Sequence, residues 1–167
     1  GNDDSKINYY LDVNTSAASN AWLSTIADVL RSKNLMDEPT AESYSYGGYF
    51  EKQMGNLTLL SLNTLIYSLW HIPSSDPLPL DPLHQFSWLR ERLQKAAQEK
   101  RRIWIVGHIP PGLETAGFTS LWHEEYVQRY LDIVTDPELA KWVAAQLYGH
   151  VHADEFRLLP GGLAEAG

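Results

Sequence analysis

The stretch Arg101-Arg-Ile-Trp-Ile-Val-Gly-His108 (RRIWIVGH) decides the fold of this chain. Its β-branched and aromatic residues, bounded by charge on one side and glycine on the other, predict a buried strand over 102–106. Glycine at its end permits a sharp turn and a close approach of backbone to ligand. The same ending recurs in Ala145-Gln-Leu-Tyr-Gly-His150, predicting a second strand over 145–148. Open α/β sheets bind ligands outside the carboxyl ends of their strands, so His108 and His150 both project toward such a crevice. His152 follows two residues later. If that run stays extended, His150 and His152 share a face with Cβ atoms about 6–7 Å apart, a spacing that suits two neighbouring metal ions. The competing reading is an exposed turn carrying two solvated histidines.

The segments around these strands read as helices and a hairpin. An apolar stripe of Trp22, Leu23, Ile26, Val29 and Leu30 predicts a helix over 19–33. Tyr44, Tyr46 and Tyr49 lead through Gly55 into Leu57–Leu62, which reads as a hairpin with a buried second strand. A proline-rich loop spans 72–82. Asp81-Pro82 then opens a helix to about Lys100, with Phe86, Leu89, Leu93 and Ala96 inward. A helix over 121–134 carries the stripe Trp122, Tyr126, Tyr130 and Ile133, and Asp136-Pro137 opens another to about Ala144. Glu155–Leu159 reads as a last strand. Helices alternating with short apolar strands define an α/β or layered α+β architecture.

Bulk composition narrows the function classes. The chain has 167 residues, 44% of them hydrophobic, with six Trp and nine Tyr, enough to bury a core. A net charge of -8 argues against a basic nucleic-acid-binding surface. Bound divalent cations would reverse that sign locally, so a phosphate substrate stays compatible. With no cysteine, disulfides, thiolate zinc sites and cysteine nucleophiles are excluded. No run is long enough for a transmembrane span. The sequons Asn14-Thr-Ser16 and Asn56-Leu-Thr58 lean toward a secretory route. His71, His84 and His123 lack a strand-end setting and read as surface or helix-face residues. At the amino terminus, Gly1-Asn-Asp-Asp4 is followed by Asn8-Tyr-Tyr10. Asparagine offers a neutral carbonyl oxygen, a fair ligand beside imidazoles for a borderline divalent metal, and the competing reading is an Asp-rich frayed end.

At these residues the sequence resembles the calcineurin-like metallophosphoesterases, in particular the acid sphingomyelinase-like branch. Gly1-Asn2 resembles the family's Gly-Asn-His-Glu/Asp motif, Gly107-His-Ile-Pro-Pro-Gly112 the branch's loop, and Gly149-His-Val-His-Ala-Asp-Glu-Phe156 its closing motif. Leu60-Ser-Leu-Asn-Thr64 and the Trp122/Tyr126/Tyr130 helix are similar too. The motifs run in the family's order over essentially the whole chain.

The resemblance implies a metallophosphoesterase-type β-sandwich flanked by helices and a phosphoester hydrolase with a dinuclear centre. Its metal-bound hydroxide would attack phosphorus. Asn2, His108 and His150 would hold one ion and His152 the other, with zinc first and manganese or iron as alternatives. Asp3 stands where the family has the His that contacts phosphate and protonates the leaving group. An Asp donates a proton only where its surroundings favour the neutral form, and cations favour the charged one. Asp4 would orient a ligand from behind. The resemblance further implies that residues 1–167 are the C-terminal portion of a single domain whose Asp-x-His and Gly-Asp-x-x-Asp motifs lie upstream. The centre would then be incomplete in this chain, the isolated piece inactive, and a sheet edge open for pairing. Implied partners are a phosphoester small molecule or lipid, and implied locations are secreted, lysosomal or vacuolar. Two rival readings remain: a non-catalytic binding or regulatory module of the same fold, and a metal-free α/β domain with surface histidines.

Overall fold

The computed structural model describes residues 1–5, 7–14, 16–114 and 117–159. Four strands form one mixed sheet in the order β1 (Phe50–Met54), β2 (Leu57–Ser61), β3 (Arg102–Val106) and β4 (Val143–Leu147). β1 and β2 make an antiparallel hairpin. β2, β3 and β4 run parallel, with Leu60 opposite Ile105 and Ile105 opposite Gln146. Parallel neighbours need crossover connections. Here α3 (Gln85–Glu99) joins β2 to β3, while α4 (Glu124–Val134) and the single turn α5 (Pro137–Ala140) join β3 to β4. The chain is thus an α/β fold.

The two faces of the sheet differ because side chains alternate along each strand. Thr58, Leu60, Ile103 and Ile105 are buried on one face in the same core as Phe86, Leu89, Leu93, Trp122, Tyr126 and Tyr130 from α3, α4 and the turn before α4. Tyr67 stacks on Phe86 with ring centroids 4.5 Å apart and lies 4.7 Å from Trp122. On the other face Trp104 is 38% exposed. A second, smaller core of Ala27, Met36 and Ala41 joins α1 (Ala21–Ser32) to α2 (Glu38–Gly47). Among the described residues no helix is long and apolar enough to cross a membrane.

Several boundaries depart from the sequence expectation, each for a physical reason. Tyr44 and Tyr46 lie on helix α2, not on a strand. Asp37 accepts from Thr40 N at its start, a proline occupies its first turn, and Gly48 closes it in the left-handed region at φ 74°. The tyrosine spacing imitated strand alternation, but the helix caps prevail. Val29 is exposed on α1, so the apolar stripe there is narrower than expected. Before α3, Pro82–His84 form a separate turn, and the Asp81 carboxylate reaches across it to accept from Phe86 N at 2.8 Å and Ser87 N at 3.0 Å.

The helix expected to reach Ala144 ends at Ala140, because Val143–Leu147 pair with β3 and tertiary pairing overrides alanine's helix preference. The helix expected from 121 starts at Glu124. Glu155–Leu159 form no strand. Instead Glu155 and Arg157 pair at 2.6 Å, and Arg157 also donates to the Pro111 carbonyl. Asn56 of the second sequon is exposed at the hairpin tip, while Thr15 of the first lies outside the described residues.

Candidate metal centre

Three parallel strands deliver their carboxyl ends to one edge of the sheet: β2 to Leu62-Asn63-Thr64, β3 to Gly107-His108, and β4 to Tyr148-Gly149-His150. The fixtures of this edge are backbone and side-chain hydrogen bonds. Leu62 N donates to Val106 O, Gly107 N to Leu147 O and Gly149 N to His108 O. Gln85, fully buried, accepts from Asn63 N at 2.7 Å and donates to Asn63 O at 3.1 Å. Thr64 Oγ1 then accepts from Ile109 N at 2.8 Å, and Trp122 Nε1 donates to Ile109 O at 3.1 Å. His108 is therefore the neighbour of a residue gripped at both backbone polar groups. Gly107 is needed there, since a Cβ would meet Thr64 Cγ2 at 2.7 Å.

Asn2 is brought to this edge from the amino terminus, and only 9% of its surface is exposed. Its Nδ2 donates to Asn8 Oδ1 at 2.9 Å, which turns Oδ1 toward the imidazoles. Oδ1 lies 2.9 Å from His108 Nε2 and 3.2 Å from His150 Nδ1, and those two nitrogens are 3.3 Å apart. Donors bound to one ion at about 2.0–2.2 Å lie about 3–3.5 Å from each other, so this triangle has the dimensions of one face of a coordination shell. The donors suit a borderline metal: two neutral imidazoles and an amide oxygen. Burial pushes the pKa of both histidines below the usual value, which keeps their ring lone pairs free.

Three of the four predicted ligands thus come together, and the fourth does not join them. His150 and His152 have left-handed backbones, φ 71° and 52°, so the expected strand alternation does not hold. β4 ends at Leu147, opposite the last residue of β3, Val106. His152 is exposed, and among the described residues no group of three or more His, Cys, Asp or Glu side chains clusters as a metal site. Asp3 is exposed, and its charge offsets a small part of the burial that lowers the His150 pKa. Asp4 is exposed and its carboxylate faces the amino group of Gly1, while its carbonyl accepts from Trp22 Nε1 at 3.0 Å. Of the other histidines, His71 is half-buried with Nε2 2.8 Å from the Leu11 carbonyl, His84 is exposed, and His123 sits edge-on to Tyr126.

Three contributors escaped the sequence reading. Tyr9 places its hydroxyl 3.2 Å from His150 Nε2. Asn8 fixes the amide of Asn2. Glu114, half-buried, adds its charge to the burial that raises the Tyr9 pKa and partly offsets the burial that lowers that of His150. None lies in a periodic segment. Only the adjacency of Asn8-Tyr9 to the Gly-Asn start marked that segment at all.

Comparison with known proteins agrees with the motifs that led here. The homologues of this chain are acid sphingomyelinase-like phosphodiesterases, as its resemblance to that branch of the calcineurin-like metallophosphoesterases implies. Sphingomyelinase phosphodiesterase D of Dictyostelium discoideum is 33% identical over 122 residues, 71% of this chain and 27% of that protein. The cyclic GMP-AMP phosphodiesterase SMPDL3A of Homo sapiens is 30% identical over 131 residues, 76% of this chain and 28% of that protein. Acid sphingomyelinase-like phosphodiesterase 3b of Homo sapiens is 33% identical over 102 residues, 60% of this chain and 22% of that protein. This chain therefore spans less than a third of the length of these relatives. No family model matches it.

Proposed function

We propose that this chain supplies part of the active site of a metal-dependent phosphodiesterase. The observation that carries the reading is the triangle of Asn2 Oδ1, His108 Nε2 and His150 Nδ1, with edges of 2.9, 3.2 and 3.3 Å at the carboxyl edge of the parallel strands. The names of the relatives, all phosphodiesterases, support the same class.

A divalent ion held by these residues would supply charge stabilisation for a phosphoryl group and activation of water. Asn2, His108 and His150 would bind one ion, zinc first with manganese or iron as alternatives. His152, exposed beside this site, would serve a second ion. The chain's own residues prepare the site in three ways. Burial keeps the two imidazoles neutral, so they need not shed a proton to bind a cation. Asp3 and Glu114 place negative charge beside His150, which draws cations toward an otherwise neutral donor set. The grip on Ile109 fixes the main chain beside His108, so that ring enters the site with little freedom left to lose.

The substrate class follows as a phosphodiester of a small molecule or lipid. Asp3, at the family's His position, favours a second reading in which the fold binds such a group without turnover. An assay of the native full-length protein with an aryl phosphodiester and added zinc or manganese separates the two. The catalytic reading expects hydrolysis that His150→Ala lowers by more than about 100-fold, beyond the effect of losing a residue that only supports a ligand. Metal uptake without hydrolysis would establish the binding module. Hydrolysis unaffected by His150→Ala would remove the triangle from the mechanism.

A further inference from the structure

We propose that Tyr9 is a positioning residue for this centre, its hydroxyl holding Nε2 of His150 so that Nδ1 faces Asn2 and His108. The role rests on the metal-centre reading above. A histidine that ligates through one ring nitrogen needs the other fixed by a hydrogen bond, which sets both tautomer and ring angle. With Nδ1 as the ligating atom, Nε2 carries the ring proton. Among the described residues the hydrogen-bond partner of Nε2 is the Tyr9 hydroxyl, at 3.2 Å. The two rings meet edge-on, with centroids 6.2 Å apart.

His150 needs such support more than His108 does. It lies beyond the end of β4 on a left-handed backbone, with exposed residues 152–154 following one half-buried valine. Tyr9, by contrast, is fixed at several points. Its N–H donates to Asn2 O at 2.9 Å, its carbonyl accepts from Ile72 N at 2.9 Å, and its ring packs 5.8 Å from that of Trp70. It too is left-handed, at φ 63°. A bulky residue keeps that conformation only where its surroundings over-determine it, and such positions gather at functional sites. The residue before it, Asn8, orients the Asn2 amide. Two consecutive side chains therefore aim two of the three donors.

The test uses the native full-length protein and zinc alone, titrated in competition with a chromophoric chelator. Tyr9→Phe keeps the ring against Trp70 and deletes only the hydroxyl. It is expected to weaken zinc binding about 10–100-fold, the range for losing a partner behind a ligand, and to leave the Tm of the metal-free protein unchanged. Zinc affinity within about twofold of wild type would overturn the role of Tyr9 and leave the metal reading standing. A wild-type protein that takes up none of zinc, manganese and iron would overturn both. A second measurement needs no variant: nitrogen NMR of the zinc-loaded wild type should find the His150 ring proton on Nε2, slow to exchange and close to the Tyr9 ring. A proton on Nδ1 would refute the assignment.

Discussion

The two Gly-His turns share a sequence signature and are built differently. Gly107-His108 leads into Ile109, which is fully buried, bonded at its nitrogen by Thr64 and at its oxygen by Trp122, with Gln85 bracing the strand end beside it. Gly149-His150 has one backbone bond to His108 and one side-chain partner behind its ring, Tyr9. It is followed by Val151, which packs on the core only in part, and then by exposed His152, Ala153 and Asp154. One turn is part of the core and the other is laid over it. A site assembled this way has one wall built into the core and one overlaid on it, and the first shares the packing of α3, β3 and α4. The overlaid wall depends on Asn2, Asn8 and Tyr9, which are distant in sequence from His150 and held by hydrogen bonds and ring packing.

The largest test of this contrast is Trp122→Ala. Trp122 is fully buried against Tyr67 and Tyr130 and donates to the Ile109 carbonyl. Removing a buried aromatic costs about 3–5 kcal/mol, which urea unfolding should register as a lower midpoint at unchanged slope. A loss under about 1 kcal/mol would mean that the Gly107-His108 turn does not draw its rigidity from the core.

A smaller and more pointed test puts the same substitution in both turns. In Gly107→Ala the new methyl meets Thr64 Cγ2 at 2.7 Å and the Tyr148 ring at 3.0 Å. Overpacking of that kind costs about 1–3 kcal/mol. In Gly149→Ala it meets His108 Nδ1 at 3.5 Å, an ordinary contact, so the change in stability should stay within about 0.5 kcal/mol. Equal losses at the two glycines, measured by the same unfolding curves, would erase the distinction between a packed turn and an overlaid one.

What the sequence disclosed follows the same division. β3 was legible to the residue, because Ile103 and Ile105 alternate with half-exposed neighbours between a charged start and a glycine. The inward faces of α3 and α4 were legible for the same reason: Leu89, Leu93, Tyr126 and Tyr130 recur at helical spacing and are buried. Asn2, His108 and His150 could be named as one group from strand ends and from a family resemblance, but not their mutual distances. The overlaid half was less legible. Residues 7–11 have no period, and Tyr9 acts through a contact across 141 positions of sequence that nothing local encodes. The expectation for His152 assumed strand geometry beyond Leu147. Two left-handed residues, neither of them glycine, break it.

The smallest effect concerns how the overlaid wall is attached. The segment carrying Asn2 and Tyr9 is tied to the next loop by Leu11 N donating to Ile72 O, by Ile72 N donating to Tyr9 O, and by His71 Nε2 to the Leu11 carbonyl. The last contact requires a proton on Nε2, which the neutral ring supplies. Burial pushes the His71 pKa below its usual value, against a smaller opposing effect of that hydrogen bond. At pH between the lowered folded value and the ordinary value of about 6.5, the unfolded chain binds the extra proton and the folded chain does not. Stability from this group is therefore present above about pH 6.5 and declines as pH falls below it. If the attachment is local, hydrogen exchange at residues 7–11 should accelerate on acidification, after correction for the intrinsic pH dependence of exchange, before that of β3 does. His71→Asn, which keeps a side-chain donor without a titrating ring, should flatten the response. Simultaneous loss of protection in 7–11 and β3 would show that the two walls open as one unit, and the contrast between the turns would then be one of packing without a difference in stability.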